Sequence, residues 1–200
     1  MDPMESLIED HRRAEDLFTR FTQTTSRAYK TRQRLVDSLI TELSVHMAVE
    51  EEAVYLWARA LDEGLSEQVL ERMEEHHILK WVLSELSALG PEDERFEPKV
   101  KVLAAHVRHH MHTEEESLFP QLGKTATEDQ LSELAEAMDA ARETAPTKPH
   151  PRMPDSPPAN LITGPAAGAV DRLLDRTQRL LRTALRTGER TVAGARERFG

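Results

Sequence analysis

The 200-residue chain carries 26 basic and 36 acidic side chains, a formal net charge of −10 that argues against wholesale binding to nucleic acid. Its 38% hydrophobic content can build a core, but 31% charged residues with only two Trp, two Tyr and five Phe argue against a β-sandwich or barrel. The absence of cysteine excludes disulfides, zinc–thiolate sites, iron–sulfur clusters and thiol nucleophiles.

Asp2-Pro3 followed by Glu5 resembles an N-cap, a first-turn proline and a capping-box partner, so a first helix is expected from there to about Thr25. A second is expected over roughly Thr31–Asp62, a third over Ser66–Leu89 and a fourth over Pro98–Leu122. A shorter fifth starts at Thr127 and ends before Pro146, and Gly64, Gly90 and Gly123 fall where the patterns stop. Nothing reads as a strand. Four long amphipathic helices with short connections predict an all-α, up-and-down antiparallel four-helix bundle, with the extra short helix and a C-terminal amphipathic helix added.

Residues 1–145 hold 16 basic and 31 acidic side chains, whereas residues 146–200 hold 10 and 5. Seven of the eleven prolines lie between Pro146 and Pro165. The expected organisation is therefore an acidic helical domain (1–145), a proline-rich linker or surface strap (146–165) and a basic amphipathic helix (166–200). In that last segment Val170, Leu173, Leu174, Leu181, Leu185, Val192 and Phe199 make an apolar stripe beside six arginines. The expectation is packing onto the acidic body or a sister subunit, in preference to a membrane surface. No apolar run is long enough to span a bilayer, and the N-terminus has neither the basic start nor the apolar middle of a secretion signal, so a cytoplasmic location is expected.

The buried stripes carry the chemistry. Helix 1 presents Leu7, His11, Ala14, Phe18 and Phe21; helix 2 presents Leu35, Leu39, Leu43, His46, Glu50, Val54 and Trp57. Helix 3 adds Val69, Met73, His76, Leu79, Leu83 and Leu86, and helix 4 adds Leu103, Val107, His110, Glu114 and Leu118. His46-x-x-x-Glu50 recurs as His110-x-x-x-Glu114, and Asp10-His11 as Glu75-His76, so the body reads as two copies of one helix pair. A pseudo-two-fold axis would bring four histidines and two glutamates to one centre. Two ionised carboxylates facing each other in a core are very unfavourable without a compensating cation. Imidazole and carboxylate donors without sulfur suit iron, manganese or zinc, and two glutamates able to bridge favour a dinuclear site. His106, one turn before His110, is a candidate fifth imidazole. His76 is preferred to His77, whose own stripe through Leu70, Glu74 and Trp81 is partly polar. Glu51, Glu52, Glu115 and Glu116 are expected on solvated faces, as are His109 and His112, and His150 falls in the linker.

These motifs, with His46-Met-Ala-Val-Glu50-Glu51 and His110-Met-His-Thr-Glu114-Glu115-Glu116-Ser-Leu-Phe-Pro120, resemble the hemerythrin HHE cation-binding family over roughly residues 3–122. The prolines around Pro157-Pro158 resemble an extension of some bacterial members. The resemblance implies an oxo- or hydroxo-bridged pair of irons inside the bundle, ahead of manganese or zinc. It implies His11 and His46 as ligands of one iron, His76 and His110 of the other, and Glu50 and Glu114 as bridges. Two departures from the oxygen carriers point away from reversible carriage. Lys80 stands where they have a second helix-3 histidine, and the helix-4 carboxylate is a glutamate four residues after its histidine instead of an aspartate five after. A ferritin-like reading finds Glu74-x-x-His77 once and no second copy. The function implied is reaction with dioxygen, hydrogen peroxide or nitric oxide, peroxide decomposition first, with no separate catalytic acid or base. A metal- or oxygen-sensing interaction module is the alternative, and iron storage is disfavoured for lack of a cage-forming surface.

Overall fold

In a computed structural model the described residues are 2–153, 163–172 and 175. Helix α1 spans Pro3–Thr22, with the Asp2 carboxylate accepting from the N–H groups of Met4 and Glu5 and Pro3 in the first turn. Helix α2 (Tyr29–Val49) runs through a π-helical turn, Glu50–Val54, into α3 (Tyr55–Leu61). After a 3-10 turn whose N-terminus is capped by Asp62, α4 covers Ser66–Ser87. Helix α5 (Phe96–Thr113) likewise continues through a π-helical turn, Glu114–Leu118, into α6 (Phe119–Thr125). Helix α7 (Glu128–Thr144) opens with a capping box between Thr127 and Gln130. The fold is the expected all-α up-and-down bundle, and no strand occurs among the described residues.

Three boundaries differ from expectation. Helix α1 stops at Thr22, where Gln23 caps it. Gly123 lies inside α6 instead of ending it. A further helix begins at 163, ahead of the expected 166, because Pro165 sits in its first turn, where a missing N–H costs nothing. This last helix, α8 (163–172), packs on the body through Gly164, Gly168 and Asp171. A Cβ at Gly168 would lie 2.0 Å from the Thr144 carbonyl oxygen, so only glycine permits the approach. Asp171 Oδ2 accepts from the Thr147 and Lys148 N–H groups, and His150 Nε2 lies 3.0 Å away. The expected apolar stripe from Leu173 onward lies outside the described residues.

The two π-helical turns fall on the two copies of the internal repeat. Each admits one extra residue per turn, which shifts the register after Glu50 and after Glu114. Tyr55 and Ala58 therefore face the core and Trp57 is only half-buried, against the regular-helix expectation. The apolar interior forms two clusters: Phe18, Leu39, Leu83 and Leu103 belong to one, and Leu7, Val54, Val69 and Leu134 to the other. Between them lies a polar layer.

Candidate metal centre

That layer contains His11 from α1, His46 from α2, Glu50 from the first π turn, His76 from α4, His110 from α5 and Glu114 from the second π turn, all buried. Their possible ligand atoms form two groups, each within 4.8 Å: His11, His46, Glu50 and Glu114, then Glu50, His76 and His110. The histidines divide as the family resemblance implies, and Glu50 belongs to both groups. Glu114 also reaches across, with Oε2 3.5 Å from His11 Nε2 and 3.3 Å from His110 Nε2. His76 Nε2 and His110 Nε2 stand 3.0 Å apart.

The donor atoms fit a cation. His11 Nε2, His46 Nε2, both Glu50 oxygens and Glu114 Oε2 are buried with no hydrogen-bond partner, although nearly every buried polar atom in a folded protein has one. Glu50 Oε2 comes within 3.2 Å of His46 Nε2 and 3.3 Å of His76 Nε2, but as a convergent contact that leaves it unsatisfied.

Each imidazole is braced from behind by a second carboxylate. His11 Nδ1 lies 2.7 Å from Glu115 Oε1, His46 Nδ1 3.5 Å from Asp10 Oδ2, His76 Nδ1 2.9 Å from Glu51 Oε1 and His110 Nδ1 2.8 Å from Glu75 Oε2. Such pairing fixes the ring and leaves Nε2 to the metal. The braces obey the internal symmetry, since the residue before each α1 or α4 histidine serves the α2 or α5 histidine, and the residue after each glutamate serves the reverse. The expectation of a solvated face is thereby corrected for Glu51, which is buried, whereas Glu115 stays exposed as expected and still reaches His11: the wide turn swings the residue after Glu50 and after Glu114 toward the layer. Cations steady three of the braces: Lys80 holds Glu51, Arg72 holds Glu75, and Arg13 and Arg142 hold Asp10.

Sequence reasoning places Tyr55 opposite Phe119 in the repeat but gives it no role at the site. Its buried hydroxyl donates to Glu114 Oε1 at 2.7 Å and lies 3.3 Å from His76 Nε2. The pseudo-symmetric position is Phe119, stacked on His11 with ring centroids 5.8 Å apart. Burial and the Glu114 charge push the Tyr55 phenol well above its ordinary range, so it keeps its proton. His106 joins neither group; it is exposed on α5, off to the side of the stripe through Val100, Leu103 and Val107. His77 also stays outside, 3.2 Å from Trp81 Nε1. His109 and His112 are exposed, as expected, and His150 belongs to the α8 contact.

Burial lowers His46 to about 4, leaving it neutral. Burial also opposes a charge on His110, but Glu114, Glu50 and Glu75 outweigh it and raise the ring to about 10. His11 and His76 are raised by the carboxylates around them in spite of burial. The His110 imidazolium thus offsets part of the acidic charge, and a cation bound at this ring would have to displace its proton.

Fold and layer together define a helical-bundle protein with an interior histidine–carboxylate cation site. The comparison with known proteins makes this specific. The model of the hemerythrin HHE cation-binding domain matches residues 2–122, and the chain belongs to that family. A hemerythrin-like protein of Schizosaccharomyces pombe is 25% identical over 172 residues, covering 86% of this chain and 84% of that one. A protein of Nostoc named as a DNA nickase is 27% identical over 134 residues, 66% of this chain but 37% of that longer protein. The crystal structure of a hemerythrin HHE cation-binding domain-containing protein from Mycobacterium kansasii shares the fold, with a TM-score of 0.61 at 23% identity. That match covers 72% of this chain and 86% of that one. No described helix is long and apolar enough to cross a membrane.

Proposed function

We propose that the chain is a non-haem diiron protein that binds and reacts with a small oxidant (dioxygen, hydrogen peroxide or nitric oxide), with peroxide decomposition in oxidative-stress defence as its principal activity and the cytoplasm as its location. The observation that carries this reading is the set of five orphaned donor atoms in one layer, all on residues of the first donor group, whose Glu50 also belongs to the second group with His76 and His110. Four imidazoles and two carboxylates without sulfur suit iron, and two irons would supply the electrons for reducing a peroxide. His11, His46, His76 and His110 would hold the pair, with Glu50 and Glu114 spanning it. The remaining residues orient these: the four bracing carboxylates fix the rings, and Tyr55 holds a proton at its hydroxyl beside Glu114. The apolar clusters on both sides keep the layer dry.

Purified protein is expected to contain two irons per chain and to show an absorption spectrum that changes on adding peroxide. Fewer irons under iron-replete expression, or a spectrum that peroxide leaves unmoved, would overturn the proposal. The seating of α8 supports a second reading, a sensor in which the metal controls a partner surface. Gly164 of α8 lies against Glu52, next to the Glu51 that braces His76. Loss of partner binding with retained turnover on removing residues 146–200 would favour that reading.

A further inference from the structure

Helix α1 lies along α2 and α4 along α5, whereas the seam between α1 and α5 is open. One cavity in it, of about 290 Å³, is lined by His11 and its brace Glu115, together with Met111, Glu15 and Arg108. A second, of about 370 Å³, lies against Phe18, Phe21, Arg32 and Arg108. Arg108 lines both and divides them. Its guanidinium spans the seam to Glu15 in a bidentate pair, Nε to Oε2 at 2.8 Å and Nη2 to Oε1 at 2.7 Å, and lies 5.8 Å from the Phe18 ring.

The brace on this side is also unlike the other three. Glu51, Glu75 and Asp10 are tied to lysine or arginine, but Glu115 is paired with neither among the described residues and is 40% exposed. A candidate ligand imidazole therefore has only an unanchored, half-solvated carboxylate and a cavity between it and water.

We propose that the α1–α5 seam is the port through which a small neutral or monoanionic molecule reaches the metal layer, with the Arg108–Glu15 pair as its latch. The inference rests on the proposed function for the identity of the traveller. A half-exposed ion pair in contact with water is weak and opens readily, as a latch must. Because it touches neither the bound molecule nor the donor atoms, it sets the rate of entry and exit alike and leaves affinity unchanged.

The test uses azide as probe on the metal-loaded full chain, followed by stopped-flow absorption. Arg108→Met keeps the aliphatic stem over Phe18 and removes the latch. Lys99→Met, which breaks the exposed Lys99–Glu85 pair across the α4–α5 seam, controls for general loosening. Azide association and dissociation are both expected to quicken about two- to five-fold in Arg108→Met, the range an exposed ion pair supports. Metal content and Kd stay the same, and Lys99→Met behaves as the parent. Unchanged rates, or an equal effect of Lys99→Met, would overturn the port. If the loaded parent binds no azide and ignores peroxide, the proposed function fails, and a second measurement decides the port alone. Deuterium exchange at the imidazole C2–H of His11 in metal-free protein should be faster in Arg108→Met, with His76 unchanged; equal exchange at His11 refutes the port.

Discussion

Glu50 stands in both donor groups, with neither oxygen hydrogen-bonded, so its charge depends on what the four imidazoles hold in common. The braces decide how well they hold it. Glu115→Gln keeps the shape beside His11 but exchanges a carboxylate for a weaker acceptor. Loss of such a partner is expected to weaken metal affinity by about 10–100-fold with the helical content unchanged, read by competition against a chromophoric chelator. Unchanged affinity would reduce Glu115 to a bystander. Glu52 belongs to the other side of the wide turn. Burial and the neighbouring Glu51 charge raise it to about 7. Its folded pKa lies above its unfolded value, so its contribution to stability is fully present below about 4.5 and is lost as pH rises through about 7. Glu52→Gln is therefore expected to stabilise the metal-free protein by about 1 kcal/mol at pH 8, after screening by solvent, and by nothing at pH 4. Melting curves at the two values read the difference, and a gain of equal size at both would refute the titration.

At the level of the helix, the stripes were legible because they follow a constant period up to Glu50 and Glu114. His11, His46, His76, His110, Glu50 and Glu114 all lie before or at the first irregularity of their helices, so constant spacing placed them in one layer. The residues just after were misplaced for a physical reason. A π-helical turn takes an extra residue, and nothing in Glu50–Val54 or Glu114–Leu118 marks that turn in the sequence. Glu51 consequently looks solvent-facing, the reach of exposed Glu115 to His11 is not foreseen, Trp57 looks buried, and Tyr55 is given no role. His106 erred in the other direction, because a position one turn from His110 still turns away when the stripe is narrow. The two halves differ at Tyr55 and Phe119, which allows a direct comparison. Tyr55→Phe makes them alike and leaves Glu114 Oε1 without its donor. The metal-free variant is expected to lose about 1–3 kcal/mol, measured by urea unfolding, as is usual for a buried acceptor deprived of its partner. A loss well under that range would show that the hydroxyl does not support Glu114.

For the whole molecule, the polar layer is a fault plane between two apolar clusters, and what neutralises it decides how firmly they are joined. Residues 1–145 carry a formal charge of −15, so the layer's carboxylates gain no relief from their own domain's average. Without metal, a proton on His110 helps to balance them, the surrounding carboxylates favour protons on His11 and His76, and a dication must displace whatever protons these rings hold. Loading at pH 7 is expected to release protons into weak buffer, at least about one per chain from His110. At a free metal concentration 1,000-fold above Kd it should add about 4 kcal/mol of stability, a rise of roughly 12 °C in Tm for a body of this size. The pH dependences then run in opposite directions. The metal-free form is favoured by His110, whose raised pKa contributes stability fully below about 6.5 and loses it as pH climbs through about 10. The loaded form weakens on acidification, because the same imidazoles take back protons at the expense of the cation. Acid therefore narrows the Tm gap from both sides, and calorimetry of loaded and metal-free protein between pH 5 and pH 9 should show it widening steadily toward alkali. A gap that stays constant would mean that metal and proton do not compete for these nitrogens.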